Sequence, residues 1–328
     1  MSISISVVIP THARETRLAF ALEALAGQTL SSDAFEVIVM RDPDSPKPWA
    51  GTPEGLSVRF LQSSVKGPVT KRNTGWQLAA APLVAFIDDD TRPAADWLER
   101  VLEVADREAA DFGEFVIQGR TEPDPDELHL LSGLARSIEI TGPTGLYETC
   151  NLTYPRTLLE RLGGFDPIFT LPVWGEDTDL GLRAQEAGAR LVYSDDALVW
   201  HAVHTNTLPQ AIAQAGRRRR FARLISRHPS LREQMPARLF VNRVHVGVAA
   251  AAVGLIAATI SRRPAVAAVG ALPYLLPMVK YIGLIEDGRV RPRRLARFAV
   301  HLPVRVAVDV VETAATVRGG IEERTLVI

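Results

Sequence analysis

Asp88, Asp89 and Asp90 stand side by side at the end of the apolar run Leu83–Ile87. Like charges so close oppose one another's ionisation unless something positive sits among them. A divalent cation, or a cation holding a phosphate ester, suits such a triplet, whereas a solvated acidic turn is the plainer reading of three acids in isolation. Further on, Val173-Trp174-Gly175-Glu176-Asp177-Thr178-Asp179 brings carboxylates to the start of an amphipathic helix, where the positive end of the helix dipole favours them with or without catalysis. His201 closes the extended run Ala197–Trp200, a position more often structural than ligating.

The elements that must position these groups alternate. Short β-branched runs read as strands at Ile3–Ile9, Glu36–Met40, Leu56–Leu61 and Leu83–Ile87, and helical periodicity covers Arg14–Ala26, Val69–Ala80, Asp96–Ala109 and Arg156–Leu162. Leu191–Tyr193 and Ala197–Trp200 read as extended. Such alternation predicts parallel βαβ units, hence an α/β fold with a mostly parallel sheet flanked by helices. Ligands of open sheets bind beyond the carboxyl ends of the strands. Pro10-Thr11-His12-Ala13-Arg14 follows the first strand, Arg41-Asp42-Pro43-Asp44-Ser45 the second, and the acidic triplet the fourth. Both charge signs on one rim suit a ligand carrying phosphates, a base and a metal. No Gly-x-Gly-x-x-Gly or Walker-type Gly-Lys-Ser/Thr is present, so a dinucleotide site and a P-loop find no support.

With 328 residues, one large domain plus an appendage, or two domains, is expected. The net charge of −1, from 37 basic and 38 acidic residues, gives the whole chain no bias toward nucleic acid. The single cysteine, Cys150, rules out an internal disulfide and fits a reducing compartment. The start lacks the basic and apolar regions of a secretory signal, which implies a cytoplasmic catalytic region.

Together these stretches resemble family 2 glycosyltransferases of the GT-A (Rossmann-like) fold. The matching pieces, in the family's order, are Val7-Val8-Ile9-Pro10-Thr11, Gly67-Pro68 with Lys71-Arg72-Asn73-x-Gly75, Phe86-Ile87-Asp88-Asp89-Asp90, Gly163-Gly164-Phe165-Asp166, Gly175-Glu176-Asp177-Thr178-Asp179-Leu180 and His201, across residues 3–205. The resemblance implies inverting transfer of a sugar from a nucleoside-diphosphate sugar to an acceptor hydroxyl, on a glycan or lipid-linked glycan. It assigns Asp90 and His201 to a Mn²⁺ or Mg²⁺ ion, the imidazole favouring Mn²⁺, and directs Asp88 at the ribose or base. Asp177 becomes the general base, with Glu176 and Trp174 in the acceptor pocket. Pro10, Thr11, His12, Arg14, Asp42, Arg72 and Asp89 belong to the nucleotide site. Two departures matter: Arg41-Asp42-Pro43-Asp44-Ser45 stands where the family commonly has Asp-Asp-Gly-Ser, and His12 replaces a usual Tyr. Gln214-Ala215-Gly216-Arg217-Arg218 lacks the Trp of the processive Gln-x-x-Arg-Trp motif, which favours single additions.

The composition changes near residue 236, dividing a glycosyltransferase domain, 1–232, from a helical, membrane-associated tail, 233–328. Val244–Ser261 is uncharged and, at roughly 18 residues, short for a spanning helix. Arg262-Arg263-Pro264 separates it from a second apolar run, Ala265–Val279, so the two form a hairpin within 244–285 that spans, re-enters or lies on the bilayer, or serves as a soluble dimerisation element and makes the protein a homo-oligomer. Over 294–317, Arg297, His301, Arg305, Asp309 and Glu312 recur at helical spacing opposite valines and alanines, as in an interfacial helix. Arg217–Arg220 beside Phe221 suits anionic headgroups; nucleic acid is its weaker reading, since no nucleic-acid module accompanies it. The expected location is the cytoplasmic face of a membrane. The rival functions are a sugar nucleotidyltransferase, whose Gly-rich, Arg-containing first loop is missing, and a catalytically inactive sugar-nucleotide-binding scaffold, against which Asp90, Asp177 and His201 argue.

Overall fold

The apolar runs that open the chain are strands buried on both faces. The computed structural model describes residues 3–45, 51–111, 113–131, 133–169, 173–281, 285–286, 289–290 and 292–328, with side chains given outside 280–300. Strand β1 (Ile5–Pro10) and, after the crossover helix α1 (Glu15–Ala26), strand β2 (Phe35–Arg41) are buried at every position. That is why they read as continuous apolar runs rather than alternating ones. They pair in parallel with Ile5 beside Phe35. β3 (Val58–Gln62), α2 (Pro68–Gln77) and β4 (Leu83–Ile87) extend the parallel part, β3 on β2 and β4 on β1.

The sheet is mostly parallel, as expected, and antiparallel strands enter beyond β4. The remaining elements of this half are β5 (Thr91–Pro93), α3 (Trp97–Asp111), β6 (Phe115–Pro123), β7 (Asn151–Pro155), α4 (Arg156–Leu162), α5 (Glu176–Glu186) and β8 (Arg190–His201), and the sheet order is β3-β2-β1-β4-β7-β6-β8-β5. β7 runs antiparallel to β4 and β6, and β5 antiparallel to β8, so the sheet is mixed. β6 and β7 escape the periodicity because their buried positions include polar residues that satisfy one another. Gln118 Nε2 donates to the Asn151 carbonyl at 2.9 Å, and Asn151 Nδ2 donates to the carbonyls of Arg120 and Ala197, each at 2.8 Å. The two extended runs before His201 are one strand, β8. The core joins β1, β2 and β4 to α1 and to the buried face of α3, Trp97, Leu98, Val101, Val104 and Ala105.

By contacts the chain divides into two compact units, residues 1–205 and 206–328, earlier than the composition change. The second contains α6 (Leu208–Ala215), α7 (Phe221–Arg227), α8 (Arg243–Ser261), α9 (Pro264–Tyr281) and α10 (Pro292–Glu322). Arg218 forms an ion pair with Glu312 of α10 at 3.0 Å and Arg223 one with Glu323, just past its end, at 2.6 Å, which ties the stretch around α6 and α7 to the tail. The expected hairpin is present as α8 and α9. Gly254 and Gly270 let the helices meet at backbone distance: a Cβ on either would lie within 2.7 Å of the other's Cα. α8 is long and apolar enough to cross a membrane.

The interfacial reading of α10 is corrected. Its acidic groups turn into the protein: Asp309, 2 % exposed, accepts from Tyr274 Oη at 2.9 Å and Arg305 Nε at 3.0 Å, and Glu312 accepts from Arg218 Nε at 3.0 Å. Val310, Val317 and Ile321 are among its exposed side chains. Buried acids need partners more than valines need cover, and the tyrosine and arginines supply them. Arg297 and the basic stretch 289–297 lie outside the described side chains.

Candidate active site

β1 lies between β2 and β4, so the loops following these three strands open on one edge of the sheet. The tight turn from β4 to β5, in which Thr91 Oγ1 donates to the Asp88 carbonyl at 2.7 Å, fans the triplet toward three different sets of partners. Asp88 accepts from Arg72 Nη2 at 2.8 Å. Asp89 accepts from Thr11 Oγ1 at 2.7 Å, the His12 backbone N–H at 3.2 Å and Arg14 Nη1 at 3.1 Å. Asp90 holds Arg14 Nη1 and, at 2.8 Å, His204 Nε2 on its Oδ2. Burial raises the Asp89 carboxyl, and the neighbouring Asp90 charge adds to it, against Arg14 and Thr11. Burial opposes the ionisation of Asp90 too, but the His204 hydrogen bond and the charges of His201 and Arg14 outweigh it and hold this carboxyl well below the usual range.

The antiparallel pairing of β5 with β8 sets Thr91 opposite His201, which brings this imidazole to Asp90. His201 Nδ1 lies 2.8 Å from the Ala202 carbonyl, an acceptor, so this nitrogen carries a proton, and Nε2 faces Asp90 Oδ1 at 3.7 Å. That buried Oδ1 has no hydrogen-bond partner among the described residues. A buried carboxylate oxygen without a hydrogen bond is costly unless positive charge lies beside it. Asp88, Asp90 and His201 each bring a ligand atom within 4.8 Å of the others. Two carboxylates and an imidazole suit Mn²⁺, and Mg²⁺ less closely, so the residues fit the expected ion.

The base candidate stands on α5. Gly175 precedes it with φ +85°, which turns the chain so that Glu176 and Asp177 enter the first turn. Asp177 is half-buried and accepts from the Thr178 N–H at 2.8 Å. Burial raises its carboxyl well above the ordinary value, and the Glu176 charge adds to this against Arg72. Arg72 joins the two acidic groups, donating through Nη1 to Glu176 at 2.9 Å and through Nη2 to Asp88 at 2.8 Å. At 5 % exposure its guanidinium points inward, braced over the Phe165 ring 5.7 Å away, so its charge goes to the acid helix and the triplet rather than to an open nucleotide site. The Gly163-Gly164-Phe165 run closes on α2, the helix of Arg72: Asn73 exchanges hydrogen bonds with the Phe165 backbone at 2.7 and 2.9 Å, and at Gly164, φ +70°, a Cβ would strike Asn73 and Trp76 at 2.5 Å.

Pro10 and Thr11 are buried at the end of β1, while the His12 side chain is 74 % exposed and bonded through Nδ1 to Asp42. Asp42 also pairs with Lys71 Nζ at 3.0 Å, and Lys71 donates to the Thr11 carbonyl at 2.6 Å. Burial works against the Asp42 charge, but His12 and Lys71 outweigh it and lower its carboxyl. Trp174 is half-buried immediately before Gly175. Two participants went unassigned from sequence, Lys71 and His204. The His201-x-x-His204 spacing was the available signal for the second.

Residues 6–163 match the family model described as glycosyl transferase family 2. A validoxylamine A glucosyltransferase of Streptomyces hygroscopicus subsp. limoneus is 28% identical over 267 residues, covering 69% of this chain and 57% of that protein. A pre-mycofactocin glycosyltransferase of Mycobacterium tuberculosis is 30% identical over 209 residues, covering 60% and 42%. The chain thus spans about half the length of these curated relatives. A mannosyltransferase from Pyrobaculum calidifontis, solved in complex with GDP-Man and Mn²⁺, is similar in structure with a TM-score of 0.58 at 17% identity, over 99% of this chain and 88% of that one. That likeness shows the fold, GT-A.

Proposed function

We propose, from the premise that residues 6–163 of this chain belong to glycosyl transferase family 2, that the protein moves a sugar from a nucleoside-diphosphate donor to an acceptor hydroxyl, with inversion and with help from a divalent ion. The observation that carries this reading is the convergence of Asp88, Asp90 and His201, whose ligand atoms lie within 4.8 Å of one another, with the buried Asp90 Oδ1 lacking a hydrogen bond among the described residues. Asp90 and His201, with Asp88 beside them, would hold a Mn²⁺ or Mg²⁺ ion, which would supply the positive charge that a departing diphosphate requires. Asp42 and the exposed His12 form the nucleoside end of the site, and His12 offers a flat ring to a base. Asp177 removes the acceptor proton, and its raised carboxyl makes it a stronger base once ionised than an ordinary aspartate. Arg72 keeps Glu176 and Asp88 in a fixed relation. Trp174 presents an apolar face to the acceptor, a glycan or lipid-linked glycan.

Screening nucleoside diphosphates by thermal shift tests this reading. A diphosphate at a hundredfold its Kd stabilises by about 2.7 kcal/mol, a rise of roughly 5–10 °C, expected only when Mn²⁺ is also present. No shift with any of the common bases, with or without Mn²⁺, overturns it.

The second unit supports membrane association. Val253, Leu255, Ile256 and Ile260 of α8 and Val269, Leu272 and Leu276 of α9 are exposed, from 46% to 79%. Close helix contact through glycines is the packing that works where lipid surrounds a pair. Transfer of such a surface into lipid is favourable by about 25 cal/mol per Å². The full chain should sediment with membranes, stay there through a high-salt wash and enter the supernatant with detergent. Release by salt would mean surface electrostatics only, and a soluble intact chain would make the hairpin a dimerisation element.

A further inference from the structure

Two arginines touch the acidic triplet, and they differ in kind. Arg72 is buried and bound to carboxylates on two elements. Arg14 reaches in from outside: it belongs to the exposed loop between β1 and α1, next to Ala13 with its φ of +51°, and its side chain is 47% exposed. It sets Nη1 between Asp89 Oδ1, at 3.1 Å, and Asp90 Oδ2, both carboxylates being only 5% exposed. A guanidinium thus neutralises the carboxylate that would hold the divalent ion.

We propose that Arg14 is the internal counter-ion of the Asp89–Asp90 pair, that it competes with the divalent ion for Asp90, and that on release it turns to the phosphates of the donor. This rests on the metal site proposed above. Two buried carboxylates without a cation are costly, so a protein waiting for its ion needs a substitute charge. An arginine on an exposed loop can leave at little cost in packing, whereas Arg72 cannot. Because the ion and Arg14 draw on the same carboxylate, whatever one gains there the other loses. Arg14 therefore weakens the binding of ion alone and strengthens the binding of diphosphate to the ion-loaded protein. Its removal should move the two affinities in opposite directions, a pattern that a merely structural arginine would not produce.

The test titrates Mn²⁺ alone into the full chain, following free Mn²⁺ by electron paramagnetic resonance, for wild type, Arg14→Ala and Arg14→Gln. Arg14→Gln keeps a polar, hydrogen-bonding side chain, though a shorter one, while removing charge, and stands in if the alanine variant fails to fold. Both variants should bind Mn²⁺ about tenfold more tightly, equivalent to about 1.4 kcal/mol. Their melting temperature should fall without Mn²⁺ and recover when it saturates. In saturating Mn²⁺, calorimetry with a nucleoside diphosphate that binds the wild type should show affinity reduced about tenfold. Unchanged or weaker Mn²⁺ binding in both variants overturns the proposal. If Asp90→Asn meanwhile abolishes Mn²⁺ binding, the metal site stands and only the role of Arg14 falls. If neither wild type nor variants bind Mn²⁺, the metal reading fails and takes this proposal with it.

Discussion

Asp177→Asn should lower sugar transfer by about a hundredfold or more, the scale expected when a general base is lost, while nucleoside-diphosphate affinity in the presence of Mn²⁺ changes little. Asparagine keeps the size of the side chain and an oxygen for the Thr178 N–H, 2.8 Å away, but cannot take a proton. The pH profile supplies a second readout. Burial raises the Asp177 carboxyl, so wild-type turnover should rise with pH through a limb displaced above the ordinary aspartate range, and the residual activity of the variant should lack that limb. Stability should move the other way. With its folded pKa above the unfolded one, Asp177 favours the folded state most at low pH, and that contribution is lost as pH rises through the folded pKa. At neutral pH and without added divalent ion, Asp177→Asn should therefore melt higher than wild type, as expected when a catalytic group sits at a cost to the fold. Near wild-type turnover would move the role to Glu176, and unchanged thermal stability would mean that the carboxyl is better solvated than its position implies.

Asp90→Asn should abolish metal-dependent binding of a nucleoside diphosphate, measured by calorimetry with and without Mn²⁺. The substitution removes the charge that faces His201 Nε2 and leaves a neutral amide in contact with Arg14 and His204. Arg14 then loses one of its two carboxylates but keeps Asp89, so the fold should survive and the circular dichroism spectrum should match wild type. Asp89→Asn is the contrasting case. Asp89 ties Thr11, the His12 N–H and Arg14 to the triplet, and its replacement should disturb the loop after β1 while leaving the Asp90 and His201 ligands in place. Metal-dependent affinity in Asp90→Asn equal to wild type would remove Asp90 from the ion site.

Much of the site was legible because its signals are local. Continuous apolar runs marked β1, β2 and β4 as buried strands, and the residues just after such runs lie where open sheets bind ligands. Three adjacent acids drew attention to that rim, although alone they fit a solvated turn equally. Gly175 before Glu176-Asp177 and the double glycine before Phe165 announce turns through their need for positive φ, and both conformations are present. The hairpin of α8 and α9 followed from two apolar runs joined by the short Arg262-Arg263-Pro264 linker.

What the sequence determined by itself was therefore the set of chemical groups and the strands that end beside them; which partner each group meets was decided only in three dimensions. His201 is more than a hundred residues from Asp90 along the chain, and the antiparallel registry of β5 on β8 makes them neighbours. No periodicity reports such a registry, because the three residues of β5 are too few to carry one. Arg72, expected in the nucleotide site, instead meets Glu176 and Asp88 from separate elements. The polar stripe of α10 presents the same helical spacing whether it faces headgroups or a tyrosine and arginines inside the protein. Spacing identifies a face, but only packing decides what that face meets, and here Asp309 and Glu312 found their counter-charges within the fold.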